Sequence, residues 1–262
     1  MCWSREASTV LAVAGFSGVA WAIYKKQPAP LWVGLGYFCL MEALQAFTYN
    51  VINQCNNPAN QILTLLSYLH ITFQPFFVSA VSMYFVPKEV QRRVAPAVYL
   101  FCFFSAIFML IQLYPFEWAG HCDPRRPLCG DKLCSVRGNW HIAWLIPTNG
   151  ICNGPASFEL HSLKFLSPLL TINFPTYLVA VMVLPVIYGS WRFTLYHFLM
   201  GPLSAALLTD NIHEWPAVWC LLSVGLLLIV VKTPIRQILF VRRWIFWPNY
   251  INAPRLTRAA AN

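Results

Sequence analysis

The chain has 262 residues, of which 58% are hydrophobic and only 10% charged, with a net charge of +9. Mean hydropathy is +0.55. A soluble domain carries about 25% charged residues, so a soluble globular class is excluded and the membrane class is indicated. The positive charge does not point to nucleic acid, because the basic residues fall in short clusters between apolar runs, the pattern of cytoplasmic loops. Aromatic residues reach 16%, including 11 Trp, as expected where rings anchor helices at the headgroups.

About 20 apolar residues cross a hydrocarbon core. Seven stretches qualify: Ser8–Tyr24, Leu31–Asn50, Ile62–Val86, Val94–Tyr114, Leu169–Gly189, Phe193–Thr209 and Pro216–Val231. The expected fold is therefore all-α, a multi-pass transmembrane bundle of about seven spans filling residues 1–233. The first run has no basic leader and no small-x-small cleavage site, so it reads as a span and not a signal peptide. Pro75, Pro96, Pro175, Pro185 and Pro202 read as kinks within spans.

Between the fourth and fifth spans lies a long loop, 115–168. It contains two apolar pieces, Trp140–Pro147 and Phe158–Leu166, too short to span and read as interfacial or re-entrant segments of a cap. After the last span, Pro234 breaks the helix. The basic and apolar mixture of Ile235–Trp247 reads as an amphipathic surface helix within a tail, 234–262. A stop-transfer tail fits equally well.

Orientation follows from lysine and arginine. Lys25, Lys26, Lys88, Arg92, Arg93, Arg192, Lys232, Arg236, Arg242, Arg243, Arg255 and Arg258 fall on one side; Arg5, Arg125, Arg126, Lys132, Arg137 and Lys164 fall on the other. The richer side is cytoplasmic, which puts the N-terminus out and the C-terminus in. Cys55, Cys122, Cys129, Cys134 and Cys152 all fall on the outer side, where disulfides form. This agrees with the charge assignment without having entered it. A plasma or inner membrane fits. Cys39, Cys102 and Cys220 fall inside spans and read as small core residues.

Ionisable residues inside spans are rare and usually functional. Glu42 and His70 each lie eight residues from the outer end of consecutive spans, so both sit about 12 Å deep. Gln45 shares the face of Glu42, and Ser67 and Gln74 share that of His70. A Glu42–His70 pair could hold and pass a proton or ligate a metal; it could equally be a packing hydrogen bond. The second cluster, Asp210, Asn211, His213 and Glu214 ahead of Pro216, sits at the outer mouth. It could bind a divalent metal or a substrate, or form the polar turn between two helices. Metal candidates are Glu42, His70 and His213, though the chain carries no His-Glu-x-x-His signature. Glu117, His121, His141 and His161 could line a lid, and His197 reads as a packed histidine. There is no phosphate loop and no nucleophile elbow.

Met1-Cys2-Trp3-Ser4, the stretch from Leu35 to Tyr49, and Trp215-Pro216-Ala217-Val218-Trp219-Cys220 resemble a family of multi-pass membrane proteins known as a domain of unknown function. The resemblance implies a membrane fold over nearly the whole chain and supplies no activity. Three functional classes remain. One is an embedded enzyme acting on a lipid or other apolar substrate, with His70 and Glu42 in acid–base or metal roles and Asp210, His213 and Glu214 at the mouth. The second is a transporter or receptor for a small ligand or proton, using Gln45, Ser67, Gln74 and Asn211 as well. The third is a structural subunit of a membrane complex. The enzyme is preferred, because the ionisable groups gather on one side and do not form a path across the membrane.

Overall fold

Ser4 starts the first helix: its hydroxyl accepts a hydrogen bond from the Ala7 amide at 3.3 Å, satisfying one of the free N–H groups of the first turn. Helix α1 (Arg5–Tyr24) buries a stripe of small residues, Ser8, Ala12, Gly15, Gly18 and Ala22. The stripe lets neighbouring helices approach closely: a Cβ on Gly15 would lie 2.2 Å from Cys39 Sγ. Three long helices follow, α2 (Ala29–Thr48), α3 (Pro58–Tyr84) and α4 (Lys88–Ile111). In α3, Pro58 sits just inside an Asn57 cap that accepts from the Ala59 amide, the arrangement a helix start favours. The computed structural model describes residues 3–152, 175–248 and 251.

Beyond a cap, the chain returns through α5 (175–187), α6 (191–208) and α7 (Trp215–Lys232). Both α5 and α6 contain a π turn, Val179–Val183 and Leu199–Leu203. Pro185 follows the first and Pro202 lies in the second. A proline ring clashes with the carbonyl four residues back, and a widened turn relieves that clash. By contrast Pro75 and Pro96 sit inside unbroken α-helix.

Five helices, α1 to α4 and α7, are long and apolar enough to cross a membrane. The apolar helix over Thr176–Ile187 is shorter. The seven helical runs described alternate in direction. Trp3, the α2–α3 loop, the end of α4 and the start of α7 meet the cap. The α3–α4 and α5–α6 connections and the end of α7 lie at the opposite end. There the Ser190 hydroxyl donates to the Ser82 carbonyl, and Lys232 lies over the Trp21 ring.

Among its described residues the cap is built on a β-hairpin, with 3-10 turns at Glu117–Ala119 and Gly150–Cys152 and no α-helix. Trp140–Pro147, expected as an interfacial segment, contributes strand β2 (Ile142–Leu145), paired antiparallel to β1 (Cys134–Arg137). Phe158–Leu166 lies outside the described residues. Alternation makes the difference: Ile142 and Trp144 point into a core shared with Leu128 and Ile146, and a four-residue strand buries them without helical periodicity. The disulfide Cys55–Cys134 ties the hairpin to the α2–α3 loop, and Cys122–Cys129 closes a small loop within the cap. Cys152 ends a short turn, Gly150–Cys152, and its side chain lies outside the described residues.

The surface helix expected over 235–247 extends only through α8 (Ile235–Leu239). Beyond it the chain folds back on the bundle. The Trp244 and Trp247 indoles donate to the carbonyls of Ile187 and Tyr188, both at 3.0 Å, and Val241 pairs through its amide with Phe85. These partners at the ends of α5 and α3 offer free carbonyls, and the tail satisfies them.

Candidate functional site

The buried polar stripe of α2 runs along Glu42, Gln45 and Tyr49, at i, i+3 and i+7, so the three share one face. Glu42 and Gln45 are both 0% exposed. No close hydrogen bond reaches either carboxylate oxygen of Glu42, and neither polar atom of the Gln45 carboxamide has a partner. Ser8 on α1 presents its hydroxyl to the Glu42 carboxylate. The oxygen of Ser8 already accepts from the Trp3 indole at 2.8 Å, which leaves its proton free to point at Glu42. Across the bundle, Cys220 on α7 interacts with Glu42 and donates to Gln74 Oε1 at 3.8 Å. Gln74 Nε2 is left without a partner. Glu42, Gln45, Gln74 and Cys220 thus form one interior polar site spanning three helices.

His70 does not join it. Its Nε2 donates to the Tyr37 carbonyl at 2.7 Å, and its ring stacks on the Tyr37 ring with centroids 3.9 Å apart. The Tyr37 hydroxyl donates back to the His70 carbonyl at 2.5 Å. Tyr37 and Glu42 are five residues apart on α2, about 140° around the helix. His70 therefore meets α2 about 7.5 Å along the axis from Glu42 as well as about 140° around it, so both level and azimuth separate the two groups. His70 lines a shallow aromatic groove of about 610 Å³ on the flank, with Tyr37, Phe73, Phe76 and Phe77. Ser67 is buried and donates to the Leu63 carbonyl of its own helix.

The second cluster is a turn. Asp210 is exposed, and the Asn211 side chain accepts from the His213 amide in an Asx turn. Glu214 is 0% exposed at the start of α7. Its carboxylate accepts three consecutive backbone amides from the hairpin: Asn139, Trp140 at 2.8 Å and His141 at 2.8 Å. A Cβ on Gly138 would lie 2.2 Å from Glu214 Oε1, so glycine is required for this approach. With its acceptors filled by amides, Glu214 holds the cap to α7. His213 stands in the α6–α7 turn, against the cap, where its carbonyl accepts from the Trp144 amide at 3.2 Å. Burial pulls its imidazole below the usual histidine range, against a hydrogen bond with the Pro124 backbone. Glu42, His70 and His213 therefore stand in three separate places. Among the described residues no three His, Cys, Asp or Glu side chains gather in a metal-binding group.

His141, from its sequence only one of four candidates to line a lid, is 0% exposed in the cap, tilted against Trp3 and stacked on Tyr49. Its Nδ1 shares a hydrogen bond of 2.8 Å with the Tyr49 hydroxyl, while Nε2 has no partner. Burial pushes its imidazole down to about 3, so the ring is neutral at physiological pH. Tyr49 in turn faces Glu42, Glu214 and Arg137. The position of Tyr49 was legible as i+7 from Glu42; the meeting with His141 was not, since 92 residues separate them. His197 is the packed histidine expected, with Nε2 accepting from the Trp219 indole at 2.9 Å.

Fold and site together define a helical bundle, five of its helices long and apolar enough to cross a membrane, with a buried acid inside and a disulfide-bonded cap. The chain belongs to the family of unknown function DUF5765, which matches residues 6–240. No curated protein and no solved structure matches it.

Proposed function

We propose that the chain is a multi-pass membrane protein of seven spans, N-terminus and cap outside. It binds a proton or small monovalent cation at Glu42 in the manner of a receptor. The observation that carries this reading is a carboxylate 0% exposed with no close hydrogen bond to either oxygen, the Ser8 hydroxyl its polar neighbour, and a Gln45 carboxamide without partners one turn along the helix. An unpaired charge in such a place costs several kcal/mol or more, so the site is complete only with a proton or a cation on it. Gln45 and Gln74 supply the neutral acceptors and donors that would surround such a ligand.

Access from one side supports a receptor over a through-transporter. Among the described residues the buried acids are Glu42 and Glu214, both toward the cap. In the opposite half, His197 is committed to Trp219. The enzyme reading required Glu42 beside His70, and His70 is held by Tyr37 instead. Seven spans and an outer cap are supported by the alternating helices and by the basic residues clustered at the end away from the cap.

Infrared difference spectroscopy on the protein in nanodiscs tests the site. A protonated-carboxyl band is expected in the wild type, shrinking as base or sodium chloride is titrated in and missing in Glu42→Gln. A band that persists unchanged in Glu42→Gln, or no titrating band at all, overturns the proposal.

A further inference from the structure

We infer that Tyr49 and His141 form a proton conduit linking the cap to Glu42, with Gln45 as its intermediate station. The inference deepens the proposed site and rests on it. Four groups stand in file. Glu42, Gln45 and Tyr49 lie on one stripe of α2, and the Tyr49 hydroxyl meets His141 Nδ1 at 2.8 Å. Unpartnered polar atoms mark both ends and the middle: the Glu42 oxygens, the Gln45 carboxamide and His141 Nε2. A hydrogen-bonded pair flanked by orphaned buried atoms on each side is what an interrupted proton wire looks like, since buried polar groups otherwise find partners.

Glu42 and Tyr49 are about 10 Å apart along the helix axis. Gln45 lies between them, and its free donor and acceptor can hold a bridging water, which needs two to four polar partners. The step balances. A proton arriving at His141 Nε2 releases the one on Nδ1 to the Tyr49 oxygen. The hydroxyl proton of Tyr49 moves on through the water at Gln45 to Glu42, which becomes a neutral acid. His141 is left protonated on Nε2, with Nδ1 now accepting from Tyr49; loss of the Nε2 proton and return of a proton to Nδ1 resets the ring for the next transfer.

The surroundings suit the passage of positive charge. Tyr49 faces the acids Glu42 and Glu214 and the cation Arg137; Glu42 faces Ser8 on α1, Cys39 on α2 and Cys220 on α7. The carboxylate of Glu214 is anchored to the His141 amide and so lies beside the transient imidazolium. The rings of Trp3, Trp140 and Tyr49 pack around His141.

The test separates rate from equilibrium. The full-length protein in nanodiscs is given a rapid acid jump, and the Glu42 carboxyl band is followed in time. Tyr49→Phe keeps the ring and removes the hydroxyl. It should slow protonation of Glu42 at least about a hundredfold, the low end of what a positioned proton-transfer group contributes, and leave the titration midpoint unchanged. His141→Phe keeps a ring beside Trp3 and Tyr49 and removes both nitrogens; it should slow protonation likewise, and carries the test if Tyr49→Phe does not fold. Wild-type rates in the folded variants overturn the conduit and leave the Glu42 site standing. Absence of any titrating Glu42 band overturns the site itself.

Discussion

Glu214 shows how one residue type can mislead when read without its partners. As a letter beside Asp210 and His213 it belongs to an acidic, metal-like cluster. In the fold its carboxylate is filled by three amides of residues 139–141. Hydrogen bonds to a charged group each contribute about 1.5–3 kcal/mol. Glu214→Ala leaves the amides of Asn139, Trp140 and the buried His141 without their acceptor, so it should destabilise the protein by about 3 kcal/mol. The expected result is a lower thermal midpoint together with faster proteolysis in the cap; an unchanged midpoint would show that Glu214 is not the anchor. Glu42 is the opposite case. Its meaning was legible, because an acid in an apolar run has no inexpensive explanation. Its partner was not, because the face that His70 presents depends on how α3 is rotated against α2.

At the scale of elements, the cap hairpin is held to the bundle by covalent and polar ties that span long stretches of chain. Asn60 in the first turn of α3 imitates a neighbouring strand. Its side chain accepts from the Ser135 amide and donates to the Ser135 carbonyl, both at 2.9 Å. Beside it, Cys55–Cys134 closes a separation of 79 residues, against 7 for Cys122–Cys129. In the chain-entropy account the longer closure is worth about 4 kcal/mol and the shorter about 2 kcal/mol. The double replacement of Cys55 and Cys134 by serine should therefore lower unfolding stability about twice as much as that of Cys122 and Cys129, measured by chemical denaturation in micelles. Equal losses would mean that Asn60 and its neighbours, and not the covalent bond, carry the docking. The pairs themselves could not be chosen from sequence, since the cysteine spacing admits several connectivities.

At the scale of the molecule, the proposed topology places the cap outside and the clusters of Lys25, Arg92, Arg192 and Arg242 inside. A membrane-impermeant thiol reagent, added after mild reduction, should label Cys122 and Cys129 from the outer face of intact cells and not from the inner face of inverted vesicles. Labelling confined to the inverted vesicles would reverse the orientation and, with it, the side from which Glu42 is reached.

The apolar character of the chain and its long helices were legible from the residues alone, because a run of apolar residues is a local property that acts within a few turns. The existence of α1 to α4 and α7 was legible for that reason; α3 and α4 begin four and six residues ahead of their apolar runs, because the polar first turns at Pro58–Gln61 and Lys88–Arg93 are helical too. The π turns were legible only as kinks, through Pro185 and Pro202. Tertiary structure alone decided that His70 belongs to Tyr37, that Glu214 belongs to the hairpin, and that His141 stands at the end of the Glu42 stripe. Those choices depend on the rotation of each helix about its axis and on contacts between residues 33, 75 and 92 positions apart. Packing sets them, through small residues such as Gly15 that let helices close and polar groups that must find partners once they do.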